Sequence, residues 1–222
     1  MRRLFFATGL VLLLAGCGSS VLSYRLTYDT QDAARKTELS QAAERVLGRR
    51  LIGLKQDNVQ PSDIKISADE NTVEVHAASA AIANELTRQL TQPFTMSIMI
   101  QTESGASADL SNPKFGSFDQ TGITEKDFDW VKAGNSGTMK GKGAVLLTFT
   151  KDGGVKLQEI FSANRGKTIG VFVRGLLMSR KVVTPQDTQE SILVDGVPSA
   201  ELASVFADDV NVGLHVKFAP GK

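Results

Sequence analysis

An α+β chain with mostly antiparallel sheets is what this sequence predicts, and three observations carry the prediction. Short runs that alternate apolar and polar residues, the mark of half-buried strands, recur from Val21 to Phe218. Longer runs with the 3.6-residue apolar period of amphipathic helices lie between some of them. Short turn sequences at Ala68 to Asn71 and at Arg174-Gly175 join neighbouring strands, which favours antiparallel pairing. With 41% apolar and 22% charged residues the chain has ordinary material for a packed core.

Taken in order, the chain begins with the basic pair Arg2 and Arg3, an apolar run from Leu4 to Ala15, and Leu-Ala-Gly-Cys at 14–17. A positive start, a short apolar segment and small residues before a cut site compose a signal peptide. A membrane-spanning helix needs about 20 apolar residues, so this run is too short to be one. The stretch resembles the lipobox of bacterial lipoproteins. That resemblance implies a signal peptide over 1–16, a diacylglyceryl group on the Cys17 thiol, and further acylation, with palmitate or a similar chain, of the amine freed by cleavage. Two or three acyl chains anchor a protein stably where one does not, so the mature chain is expected on the extracytoplasmic face of the cell membrane. Cys17 is the single cysteine of 222 residues, which excludes a disulfide framework and a cysteine metal cluster, and lipidation accounts for its thiol. Losing Arg2 and Arg3 changes 25 basic residues against 24 acidic ones to 23 against 24. Such a balance gives no electrostatic footprint for nucleic acid.

Residues 17–102 read as a first module. Leu22, Tyr24, Leu26 and Tyr28 alternate as a strand, and a helix follows over 32–51 with Leu39, Ala43, Val46, Leu47 and Leu51 on one face and Asp29 or Thr30 as its cap. Two strands at 63–67 and 72–77 form a hairpin, a helix spans 79–91 before Pro93, and Phe94, Met96, Ile98 and Ile100 alternate along a closing strand. The order βαββαβ is the ferredoxin-like arrangement. Residues 103–143, rich in Gly, Ser, Asn, Asp and Lys, read as a linker with one ordered turn or short strand near Thr124 to Val131, and Trp130 is expected to pack it onto a neighbour.

Residues 144–222 form a second α+β module. Val145 to Phe149 is a strand, and Leu157, Ile160 and Phe161 mark a helix over 154–163 that Gly166 stops. Strands follow at 168–173, 176–183 and 190–194. Ser199 caps a helix bearing Leu202, Ala203, Val205 and Phe206, and Val212, Leu214, Val216 and Phe218 alternate along a last strand.

The stretch from Gly143 to Ala207 resembles the large extracytoplasmic domain of SecD, a subunit of the bacterial protein-export machinery. Phe149 ending a strand, Gly166-Lys167, the turn at Gly175, Ser179 and the run from Gly196 to Ala203 take the places of the family's head motifs. Arg49 to Leu54, Ile64 to Ile66 and Asn71 to His76 look like the Arg-rich helix end and hairpin of its base, and Thr121 to Thr150 resembles the lead-in to the head. The resemblance implies a base and a head of α+β type, with Sec translocase subunits or an exported polypeptide as partners. It also marks departures. The Gly-rich pattern that opens the family's domain is missing around Tyr28 to Ala34, and Pro220-Gly221-Lys222 stands where the family's membrane part begins. Since the family places its proton-coupled chemistry in charged residues of those membrane helices, the expectation here is the ectodomain alone on a lipid leash.

Chemistry elsewhere is sparse. His76 and His215 fall on the polar sides of alternating strands and are expected in solvent, without paired-His spacing. Asp208 and Asp209 are adjacent and cannot share a helix face as an acid/base pair, and at a helix C-terminus they are expected to be solvated and unremarkable. The glycines from Gly137 to Gly143 lack phosphate-loop spacing and suit a flexible loop. No Gly-x-Ser-x-Gly elbow occurs. No enzyme activity, cofactor or metal is therefore expected. The reading is a non-catalytic accessory of export that contacts an unfolded chain or the translocase, with Thr168 to Val173, poor in outward charge, as the strand expected to accept an added segment. The alternative is an envelope scaffold or small-ligand-binding lipoprotein reusing the fold. Cys17→Ser should remove the acyl mass and release the protein from the membrane fraction; unchanged mass and unchanged fractionation would refute the anchor.

Overall fold

The computed structural model describes residues 19–67, 71–102, 108–185 and 191–221. The lipobox with Cys17, the middle of the first hairpin turn and Glu190 lie outside the described residues.

The first sheet has the order β12-β1-β3-β2, all neighbours antiparallel, built from β1 (Ser20–Tyr28), β2 (Ile64–Ser67), β3 (Thr72–Ala77) and β12 (Val216–Pro220). Helices α1 (Ala33–Gly53) and α2 (Ala80–Thr91) supply its apolar cover. Leu39, Val46, Leu47 and Leu51 of α1 and Leu86 of α2 pack with Tyr24, Leu26, Val73, Val75 and Phe218 in one core. The α1 stripe is the one the sequence predicts; its cap is Asp32, whose Oδ1 accepts from Arg35 N–H at 3.0 Å, rather than Asp29 or Thr30. The α2 cap is Ser79, which accepts from the Ile82 N–H.

Two differences from the expected chain path follow. Strand β4 (Met96–Thr102) was expected to close this sheet, yet it lies between β9 (Thr168–Val173) and β6 (Gly116–Thr124) of a second sheet, and β12 from the C-terminal end takes the fourth place. The reason is that β4 is apolar on both faces: Ile98 enters one core and Met99 another, as suits an interior strand. In β12, Val216 and Phe218 face the first core while Lys217 and Ala219 face out, as suits an edge.

The second sheet runs β10-β9-β4-β6-β5, with β5 (Leu110–Asn112), β6 (Gly116–Thr124), β9 (Thr168–Val173) and β10 (Leu176–Val182). The third is β11-β8-β7, with β7 (Phe128–Asn135), β8 (Gly143–Phe149) and β11 (Ser191–Val197). Residues 108–143, within the stretch expected as a linker, thus hold three strands. Their apolar residues look isolated because the buried positions are sparse and irregularly spaced: in β6 Phe118 and Ile123 enter different cores, and in β7 Phe128 and Val131 enter one core and Trp130 another. Trp130 does pack onto a neighbour, in the core of the first sheet. The two remaining sheets share a core in which Met96, Ile98, Ile169, Val171, Val145 and Leu147 meet Leu157 and Phe161 of α3 (Lys151–Ala163) and Ala203, Ala207 and Val210 of α4 (Ala200–His215).

Helix α4 begins as expected, with Ser199 Oγ accepting from Leu202 N–H at 3.1 Å, but it continues through His215 where a strand from Val212 was expected. Ala203, Ala207 and Val210 extend the helical period, and Asn211 fixes the outcome. Its Nδ2 donates to Val131 O at 2.8 Å and its Oδ1 accepts from Val131 N–H at 2.9 Å, all of it buried. Replacing Asn211 with Ala would strip partners from two buried backbone groups of β7, which cost roughly 1–3 kcal/mol apiece when left unmet. Asn211→Ala should therefore lower the unfolding free energy by about 2–4 kcal/mol in urea titrations; a loss below about 0.5 kcal/mol, typical of a neutral surface change, would show that the clamp carries no weight.

Candidate functional site

A groove of about 540 Å³ runs between two sheet edges. One wall is β10, the last strand of the second sheet, with Met178 and Ser179; the other is β11, the last strand of the third, with Val194 to Val197. Val145, Leu147 and Val171 lie at its base, and α4 lines it with Leu202, Val205 and Phe206. It continues past Met178, Val205 and Phe206 into a hollow of about 420 Å³ lined by Phe94, Val173, Leu176, Arg49, Arg50 and Arg174.

The local sequence explains this geometry. Val173 pairs with Leu176 across a two-residue turn in which Arg174 (φ 49°) and Gly175 (φ 76°) both have positive φ, the type I′ pattern that matches strand twist. The β10 register then slips between Leu177 and Ser179, so Met178 is the extra residue of a bulge. Along β10 the exposed residues are Leu176, Met178, Arg180 and Val182; Leu176 and Met178 line the groove, and Arg180 lies over the Phe115 ring. Leu176 is 68% exposed, Met178 49% and Leu202, across the groove, 50%. On β11 Gly196 (φ 79°) makes the matching irregularity, and a Cβ there would press on Met139. An exposed apolar edge strand is a pairing template that proteins normally blunt. Here both edges that flank the groove keep apolar residues outside, Leu193 of β11 among them.

The strand expected to accept an added segment, Thr168 to Val173, is β9 and is interior, paired with β10 on one side and β4 on the other. Its lack of outward charge reflects burial on both faces. The open edge is its neighbour β10.

Charge is distributed unevenly along the groove. Asp195 lines the end towards β11, where Thr138 Oγ1 donates to it at 2.5 Å and Gly196 N–H at 2.9 Å; bonds from Ser136 and Thr138 hold its carboxyl below the usual range. Arg49, Arg50 and Arg174 line the other end. Asp208 and Asp209, expected to be unremarkable solvated residues, hold α4 to α1. Arg45 reaches Asp208 with two bonds at 2.7 and 2.8 Å, and Arg49 spans Asp208 at 3.2 Å and Asp209 at 3.4 Å. The sequence carried a signal for this cluster, since Arg45 and Arg49 are one helical turn apart on α1.

His215 also departs from expectation. It ends α4 with its side chain only 11% exposed, its ring stacked on Trp130 at 5.2 Å and its Nδ1 2.9 Å from both Asp29 oxygens. Arg35 lies over the Trp130 ring at 5.0 Å and makes a bidentate pair with Asp129 at 3.0 and 3.1 Å. These groups line a second cleft of about 570 Å³. His76 sits half-buried on β3, opposite Val21. The run from Gly137 to Gly143 turns from β7 to β8, closed by the Ser136 N–H donating to Lys142 O at 2.8 Å. Among the described residues, no three His, Cys, Asp or Glu side chains gather as a metal site, and no helix is long and apolar enough to cross a membrane.

No protein-family model and no curated protein matches the sequence. Solved structures do match in fold. The crystal structure of SecDF from Thermus thermophilus, described as a translocon-associated membrane protein, aligns over 91% of this chain and 30% of its own, at 19% identity and a TM-score of 0.51. SecDF in a super-membrane-facing form aligns over 92% and 30%, at 20% identity and 0.50. A further structure, of SecDF as a membrane component that enhances protein export, aligns over 91% and 98%, at 19% identity and 0.49. The chain spans 30% of the length of the first two. The α+β, mostly antiparallel fold expected from the SecD resemblance is the fold found.

Proposed function

We propose that this chain is a non-catalytic accessory of protein export, tethered through Cys17 to the extracytoplasmic face of the membrane, that holds an extended, unfolded polypeptide segment in the groove between β10, β11 and α4. The observation that carries the reading is the open apolar edge of β10, with Leu176 and Met178 facing outward onto an apolar groove. An added strand would meet the backbone groups of that edge, and apolar side chains at alternate positions would enter the groove. Backbone pairing is indifferent to sequence, which suits a client of arbitrary composition. The SecD-like fold agrees in kind, since the matching Thermus thermophilus protein is a translocon-associated membrane protein.

A second reading, a small-ligand-binding or scaffold lipoprotein, draws on the cleft beside Trp130 and His215, whose volume lies within the ligand-pocket range of about 300–1,000 Å³. Genetics separates the two: loss of an export accessory should slow signal-peptide processing of other proteins, and loss of a scaffold should leave it unchanged.

A photo-crosslinking residue at Met178 of the full chain should capture exporting polypeptides or a translocase subunit in cells. The same group at Gln120, exposed on β6, should not. Met178→Asp combined with Leu202→Asp should suppress capture from a crosslinker at Ser179. Equal capture from Met178 and Gln120, or none from either, would sink the proposal.

A further inference from the structure

The hollow at the α1 end of the groove contains more positive charge than its own carboxylates answer. Arg49 shares Asp208 with Arg45 and reaches Asp209 as well, and its Nε is buried without a hydrogen-bond partner. Arg50, at the end of the same helix, donates to a backbone carbonyl, that of Gln89, at 3.3 Å. Arg174, at the tip of the β9–β10 turn, has its guanidinium 5.7 Å over the ring of Phe94. Among the described residues neither Arg50 nor Arg174 pairs with a carboxylate. Glu125 lines the adjoining cleft with both, without an ion pair to either. The crowding is felt electrostatically. Burial lowers the Arg50 pKa from its ordinary value, Arg174 and Arg49 push the same way, and Asp209 opposes them.

The cations stand on a rigid platform. Phe94 lies against Gly213 of α4 so closely that a Cβ at 213 would overlap its ring. The Arg174 N–H donates to Thr95 O at 2.8 Å, which ties the turn to the residue after Phe94. Arg50, partly desolvated, and Arg174, lying over the Phe94 ring, are both short of acceptors, and a guanidinium fork favours a carboxylate, which takes two parallel bonds from it.

Resting on the reading of the groove as a polypeptide site, we propose that Arg50 and Arg174 form a carboxylate-recognition site within it. Its preferred occupant is an extended apolar segment that carries an acidic residue where it passes Phe94. Charge complementarity and the strand edge together choose this occupant. A fatty-acid chain would satisfy the arginines and the apolar lining but would leave the outer edge of β10 without a backbone partner. A neutral segment would satisfy the edge and leave the arginines unanswered. The unequal ends of the groove also set a direction, because Asp195 lies at the far end and would repel a second acidic group there.

The test uses the full chain reconstituted in phosphatidylcholine vesicles and fluorescent peptides of alternating valine and serine with both termini capped. One peptide carries an aspartate near its N-terminal end, one near its C-terminal end, and each has a counterpart with asparagine. One aspartate placement should bind about tenfold more tightly than its counterpart, the scale of a close, partly desolvated charge pair. Arg174→Asn, at an exposed turn position where Asn tolerates positive φ, should erase most of that difference, and Arg50→Gln should do the same. Both variants should keep the far-UV spectrum, and the quantity read is the ratio of acidic-peptide to neutral-peptide affinity, which should fall towards one in each. Equal binding of all four peptides would overturn the carboxylate site and leave the polypeptide groove standing. Failure of every peptide to bind would remove both readings. Displacement of the acidic peptides by octanoate at lower concentration than by unlabelled peptide would overturn the choice of occupant.

Discussion

One buried amide ties the whole chain path together. Asn211 bonds both the N–H and the C=O of Val131, and so fixes the last turns of α4 against β7 in the middle of the molecule. Its neighbours Val210 and Val212 enter two different cores, the shared core of the second and third sheets and the core of the first. Four residues later the chain enters β12, which pairs with β1 from the opposite end of the sequence. If α4 slid or frayed, β12 would lose its register against β1, and Val205 and Phe206 would leave the groove. A polar clamp in this position specifies register where apolar packing alone tolerates slippage, because a displaced amide would leave buried backbone groups unsatisfied.

The same residues show where the sequence was readable and where it was not. Helices α1 and α2 and the strands from β1 to β3 were legible to within a few residues, since their periodicity is a local property, although the α1 cap is Asp32 where Asp29 or Thr30 was expected. Sheet membership was not. The alternation in Phe94 to Ile100 says that a strand forms and says nothing about which neighbours it takes, so β4 could be placed beside β1 with no local contradiction. The strands β5 and β6 went unseen, and β7 was anticipated only as an ordered turn or short strand near Thr124 to Val131, because their buried residues are sparse and the turn residues between them raised the Gly, Ser and Asn content to that of a linker. Val210 to Leu214 satisfies both a helical and an alternating pattern, and only the long-range bond from Asn211 to Val131 decides between them. His215 and Asp208 were placed in solvent for the same reason: their partners, Trp130, Asp29 and Arg45, lie 85 or more positions away.

The groove is consistent with an edge that is partly protected. Arg180 and Lys181 supply charge to one half of β10, the usual device against uncontrolled pairing, while Leu176 and Met178 keep the other half apolar. The bulge at Met178 increases local twist, which discourages a long flat partner such as a second copy of the same sheet. A short extended segment bends with the twist more easily than a sheet does. The half of β10 that charges leave open is also the half that leads towards Arg174, so the apolar lining and the cationic end fall on one path.

Affinity at such a site is bounded by its openness. Leu176, Met178 and Leu202 are already half to two-thirds exposed, and covering each contributes on the order of 1–2 kcal/mol. Association itself costs about 4–15 kcal/mol in lost freedom before any surplus appears. Edge pairing and one charge pair add to the apolar gain without changing its scale, so the arrangement favours weak and rapidly reversible contact. Under the proposed function, weak contact becomes useful when the site is confined near the polypeptide it would hold. A lipid anchor would supply that confinement, raising the effective concentration of the groove for any chain emerging at the same membrane, without demanding a tight complex that would then have to be released.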